Sequence, residues 1–158
     1  MVIMQTIAII DSIEVLTINE LSSDTLLTIR VEYTSILYSS KECIKKNIGI
    51  NTFEVLSSNM NKDYISKLLK KDIKCDIVIV PQAIEKEIDM FNHVDKLIKA
   101  LKDDKVLVDH KNDLAYYMSN SKVYMSDTMH TKNIWIDLEN VVSAIKLSDI
   151  NDWSIHDK

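Results

Sequence analysis

Cys75-Asp76-Ile77-Val78-Ile79-Val80-Pro81 is the stretch on which the fold of this chain turns. Its unbroken β-branched run suits a strand covered on both faces, and Pro81, the only proline, ends it. Directly after it Ile84, Ile88, Phe91, Leu97, Ile98 and Leu101 recur at helical spacing, which predicts a helix from Gln82 to Lys102. Val106-Leu107-Val108 then reads as another short buried strand. Strand, helix and strand in that order imply a right-handed crossover. The expected fold is therefore α/β, a mixed, largely parallel sheet with helices packed on it.

Upstream the period changes to two. Leu27, Ile29, Val31 and Tyr33 are apolar while Thr28, Arg30, Glu32 and Thr34 between them are polar, the alternation of a half-buried strand. Ile7 to Ile18 is also rich in β-formers, and the polar residues from Asn19 to Asp24 can turn the chain. These segments predict an N-terminal antiparallel β-hairpin edging the sheet, its polar face in water. Lys41 to Ile48 reads as a short helix closed by Gly49. Phe53, Val55 and Leu56 fit a strand, and Asn59 or Asn61 can cap a helix whose stripe is Ile65, Leu68, Leu69 and Ile73. Downstream, Leu114 to Met118 reads as helical, Val123–Met125 and Ile134–Ile136 as strands, and Leu138, Val141, Val142 and Ile145 as the stripe of a closing helix.

No repeat, low-complexity tract or linker interrupts the 158 residues, so one α/β domain over 1–158 is expected. With 46% hydrophobic and 27% charged residues the chain can bury a core. Gly49 is the single glycine, where average usage would give about 11 in a chain of this length. Phosphate loops and dinucleotide fingerprints need several glycines for close backbone approach, and a GxSxG nucleophile elbow cannot be drawn. Among the basic residues Arg30 is the only arginine, a lysine and isoleucine bias typical of an AT-rich genome that removes any array of bidentate guanidinium forks. The net charge of -5 argues against broad binding of nucleic acid or anionic membranes. Cys43 and Cys75 have no CxxC partner and read as small buried hydrophobes of a reducing cytoplasm. The opening run lacks a basic n-region and meets Asp11 too early to span a bilayer, so the expected location is intracellular, with no membrane partner.

Asp11, Asp109, Asp127 and Asp137 each follow a predicted strand closely. Strand-end loops of parallel sheets form ligand crevices, where converging acids can hold a hard divalent cation, although aspartate is also the ordinary residue of turns and helix caps. The segment Ile77 to Glu87, with its strand, proline and helix-borne Glu87, resembles PIN-type metal-dependent ribonucleases. In that resemblance Asp113 and Ser126-Asp127 are similar to the family's later acids and Asp11 stands in for its first. The resemblance covers about half the chain. The chain departs from the pattern in the 69 residues between Asp11 and Pro81 and in its N-terminal hairpin. What it implies is an acidic metal site of Asp11, Glu87, Asp113 and Asp127 holding Mg²⁺ or Mn²⁺.

Asp109-His110 and Asp127-Thr128-Met129-His130 form two acid and histidine pairs, but HExxH and HxH are absent, so loop or surface roles are expected for them and for His93 and His156. Tyr116-Tyr117 and Trp135 read as core or interface aromatics, and Lys67, Lys70, Lys71 and Lys74 as a solvated helix face. The leading reading is a non-enzymatic protein-binding or regulatory module with no cofactor, whose partner is another protein or a second copy joined by strand addition. The alternative is a metal-dependent nuclease or phosphoesterase on the acidic site, the one case in which nucleic acid would be a partner. A small-molecule-binding α/β domain is a second alternative, with no residue to point at.

Overall fold

The computed structural model describes residues 4–20, 24–127, 129, 132–147 and 152–158. It is mostly β, with 53% strand against 31% helix in two sheets. The chain divides into two compact units, Met1–Asn92 and His93–Lys158.

The first unit is built on three long strands, β1 (Met4–Glu20), β2 (Thr25–Ser39) and β3 (Glu42–Leu56), paired antiparallel in succession. Helix α1 (Lys62–Asp72) follows, then the short strand β4 (Ile77–Ile79), which pairs parallel to β1. The order across this sheet is β3-β2-β1-β4. The alternation of β2 holds: Leu27, Ile29, Val31 and Tyr33 are buried, and the residues between them are half-buried. Asn61 caps α1 by accepting from the Tyr64 N–H at 2.8 Å. Helix α2 (Gln82–Lys102) matches its predicted span, and its first half packs Ile84, Ile88 and Phe91 with Ile65 and Leu69 of α1 onto one face of the sheet.

The second unit holds an all-antiparallel sheet in the order β8-β7-β6-β5-β9. Its strands are β5 (Lys105–Asp109), β6 (Leu114–Ser119), β7 (Lys122–Asp127), β8 (Asn133–Ile136) and β9 (Trp153–Asp157), with α3 (Leu138–Leu147) between the last two. Leu107, Tyr116, Val123, Val141 and Ile145 are buried here, and the Tyr116 and Trp153 rings stack at 5.2 Å.

Five readings are thereby corrected. The fold is not an α/β arrangement of helices on a largely parallel sheet, because β4 and β5 belong to different sheets and β1–β4 is the one parallel pair among the described strands. The N-terminal hairpin does not edge its sheet: β1 and β2 each pair on both sides. Strand β4 is covered on one face only, leaving Ile77 and Ile79 40% and 44% exposed. Lys41 to Ile48 is mostly strand, and so is Leu114 to Met118.

The physical reason is turn chemistry hidden by the lack of glycine. Ser40 and Lys41 both have positive φ and join the paired residues Ser39 and Glu42; Asn120 and Ser121 do the same between Ser119 and Lys122. Two successive positive φ values make the tight hairpin turn that keeps neighbouring strands antiparallel. Glycine usually supplies this conformation, whereas here serine, lysine and asparagine adopt it.

Candidate functional site

A sheet exposes unpaired backbone donors and acceptors only at its edges. Three of the four described edges are short: β4 has 3 residues, β8 has 4 and β9 has 5. The fourth, β3, has 15. Every residue from Glu42 to Ile48 is exposed, and among the described residues no strand pairs with the outer side of β3.

Side chains of β3 alternate between the two faces. Gly49, Asn51, Phe53 and Val55 share the core face, where Phe53 and Val55 are buried. Lys46, Ile48, Ile50, Thr52 and Glu54 share the outward face. Ile48 is 79% exposed and Ile50 52%, large apolar side chains held in water beside an unpaired backbone. The outward face carries further isoleucines across the sheet, since Ile7 and Ile9 of β1 stand next to Ile77 and Ile79 of β4. Arg30 on the same sheet is matched locally, 2.9 Å from Glu32 and 3.6 Å from Glu14.

On the core face, beside the same edge, lies an open cleft of 630 Å³ whose lining includes Tyr33, Ser35, Asn47, Gly49 and Asp72. The Tyr33 hydroxyl donates to Asn51 Oδ1 at 3.5 Å, and burial pushes it up from its ordinary range, with Cys75 and Asp72 adding to the shift.

Sequence reasoning found the end of β3 at Phe53, Val55 and Leu56 but missed its first half, because a lysine-rich stretch ending at glycine imitates a helix C-terminus. The available signal was two period-two pairs of opposite phase, Ile48-x-Ile50 and Phe53-x-Val55, as a strand with apolar residues on both faces produces.

The acidic residues singled out in the sequence fall as follows. Asp11 lies at a bulge in β1, exposed, and accepts from the Thr34 hydroxyl at 2.7 Å. Glu87 is half-buried on the part of α2 in the first unit. Asp113, at φ 54°, occupies the turn before β6, and Asp127 ends β7 opposite Leu114, so these two share one end of the second sheet. The Lys132 N–H donates to Asp127 Oδ1 at 3.4 Å. Asp109 is buried and organises its own turn, accepting from the N–H groups of Lys111 and Asn112 and from the Asn112 side chain. Asp137 directly precedes α3, its carbonyl accepting from the Asn140 N–H. Among the described residues no group of three or more His, Cys, Asp or Glu side chains is placed to hold a metal ion.

His130 lies outside the described residues, whereas His93 is half-buried on α2 and His110 and His156 are exposed. Tyr116 is core as expected, Tyr117 stacks on Tyr124 at 5.6 Å, and Trp135 is 50% exposed on β8. Of the cysteines only Cys75 is buried; Cys43 is exposed next to the β2–β3 turn. Lys67, Lys70, Lys71 and Lys74 form the solvated face of α1 and the turn after it.

No protein-family model matches the chain, and neither a curated protein nor a solved structure is significantly similar to it. No helix among the described residues is long and apolar enough to cross a membrane.

Proposed function

We propose that this chain is a protein-binding module of the reducing cytoplasm that pairs with a second copy of itself along β3, joining two four-stranded sheets across a two-fold axis. The observation that carries the reading is the long exposed edge with Ile48 and Ile50 on one face. An exposed free thiol at Cys43 fits a reducing compartment.

Charge favours one register. Residues directly opposite in an antiparallel pair share a face, so only registers that match outward with outward positions are allowed. Centring the pair on Ile50 sets Lys46 opposite the partner's Glu54, twice by symmetry, and Ile48 opposite the partner's Thr52. A centre at Ile48 would instead oppose Lys46 to the partner's Ile50 and leave Glu54 without a basic residue opposite it in the regular part of the strand. The register shift at Leu37/Tyr38 bulges β3 at Ile44, which limits regular pairing to the part of the strand that follows. Lysines on an edge usually discourage pairing, and Glu54 of a second copy removes that penalty at Lys46.

Size-exclusion chromatography with light scattering tests the reading. The wild type is a dimer, Ile50→Lys dissociates it by opposing two lysines, and Lys46→Glu weakens it. The double exchange Lys46→Glu/Glu54→Lys restores it, which a general loss of folding cannot do. A wild type that stays monomeric at high concentration, or a double exchange no better than Lys46→Glu, overturns the proposal.

A further inference from the structure

In the second unit two histidines far apart in sequence meet at one hydroxyl. The Ser154 Oγ lies 2.6 Å from His110 Nε2 and 2.7 Å from His156 Nε2. Ser154 and His156 are two apart on β9 and therefore share a face, and His110 follows the last residue of β5, the strand with which β9 pairs. The His110 N–H donates to the Asp152 carbonyl at 2.8 Å, which ties the loop after β5 to the start of β9. The ring centroids are 6.4 Å apart with planes at 75°. The β5–β9 ladder and the His110–Asp152 hydrogen bond thus bring both Nε2 atoms to a common point.

We propose that His110 and His156 bind a late first-row divalent cation, of which Zn²⁺ and Cu²⁺ are the type, with Ser154 or water completing the coordination. Two imidazole nitrogens suit these ions better than Mg²⁺, Mn²⁺ or Ca²⁺, which prefer oxygen. The site is therefore separate in chemistry as well as in residues from any carboxylate site. Bonds of about 2.0–2.1 Å from nitrogen to metal are shorter than the two hydrogen bonds, so binding draws the rings inward and displaces the hydroxyl from between them. Both rings are exposed, which leaves the remaining coordination positions open to water. A net charge of -5 favours the approach of a cation. Holding two ligands next to one point before the ion arrives lowers the ordering cost of binding.

Calorimetric titration of the full chain with ZnCl₂ tests the site. One ion binds per chain and the melting temperature rises with Zn²⁺ concentration, because the ion binds the folded form. His110→Ala and His156→Ala each weaken binding by at least about tenfold, the scale on which even outer contacts of metal sites act. Both positions are exposed, so both variants keep the wild-type circular dichroism spectrum. His93→Ala retains the binding. Absence of Zn²⁺ binding at millimolar concentration, or His110→Ala and His156→Ala variants that bind like the wild type, overturns the proposal, as does equal loss in His93→Ala.

Discussion

Gly49 stands directly across the β2–β3 ladder from Tyr33, and the Tyr33 ring fills the space where a side chain at position 49 would be. A Cβ there would lie 2.7 Å from Tyr33 Cε2, well inside van der Waals contact. The one glycine of the chain is a notch for an aromatic ring, since its φ is not positive. Gly49→Ala should therefore cost roughly 1–3 kcal/mol, the usual penalty of overpacking, read as a lower melting temperature. Adding Tyr33→Leu should return part of it, and additive losses in the double variant would show that the ring is not the obstacle.

Left-handed backbone at residues other than glycine is a stored cost. Lys41, at φ 68°, is the second residue of the β2–β3 turn, where glycine is the favoured residue. Lys41→Gly should raise stability by up to about 1 kcal/mol, the strain relieved less the greater freedom of glycine in the unfolded chain. A drop in melting temperature would mean that the lysine side chain stabilises the turn in some other way.

Asp109 is 1% exposed and its carboxylate accepts three hydrogen bonds from the turn that follows β5. Asp109→Ala leaves those donors without partners and should destabilise the protein by about 1–3 kcal/mol in urea unfolding. Asp109→Asn keeps an acceptor oxygen and should cost less. Equal losses would point to the negative charge as the important feature.

The two thiols should differ sharply in reactivity. Cys43 is exposed, whereas Cys75 is 5% exposed and burial pushes its thiol up from the ordinary 9.0. The thiolate is the reactive form, so a disulfide reagent at neutral pH should modify one thiol rapidly and the second only on unfolding. Cys43→Ser should abolish the fast phase. Two fast phases in the wild type would contradict the burial of Cys75.

Alkali should weaken the fold. Burial pushes the hydroxyls of Tyr33 and Tyr116 up from 10.0, with the Asp109 charge adding to the shift at Tyr116, and Cys75 moves the same way. In the unfolded chain these groups lose their protons at ordinary values while the folded chain still holds them. Their contribution is thus fully present below about pH 9 and declines as pH rises through the higher folded values. Melting temperatures between about pH 8 and pH 10.5 should fall, and a flat profile would count against these burials.

Some of this protein was legible in the sequence alone, namely whatever depends on near neighbours along the chain. The span of α2 from Gln82 to Lys102, the cap at Asn61 and the alternation from Leu27 to Tyr33 follow from periodicity and local hydrogen bonding, and each is present. Strand pairing was a different matter. Val106–Val108 could pair in parallel with Ile77–Ile79 or antiparallel with Leu114–Met118, and the run of apolar residues is the same in either case. Only the tertiary structure decided for Leu114–Met118 and put β4 beside β1. Residues 42–48 carried no legible period because that end of β3 has no buried face to impress one. His110 and Ser154, 44 residues apart, meet because β5 and β9 are paired. Local propensity sets what each segment can be, whereas pairing is settled by which surfaces cover one another, a property of the whole folded chain.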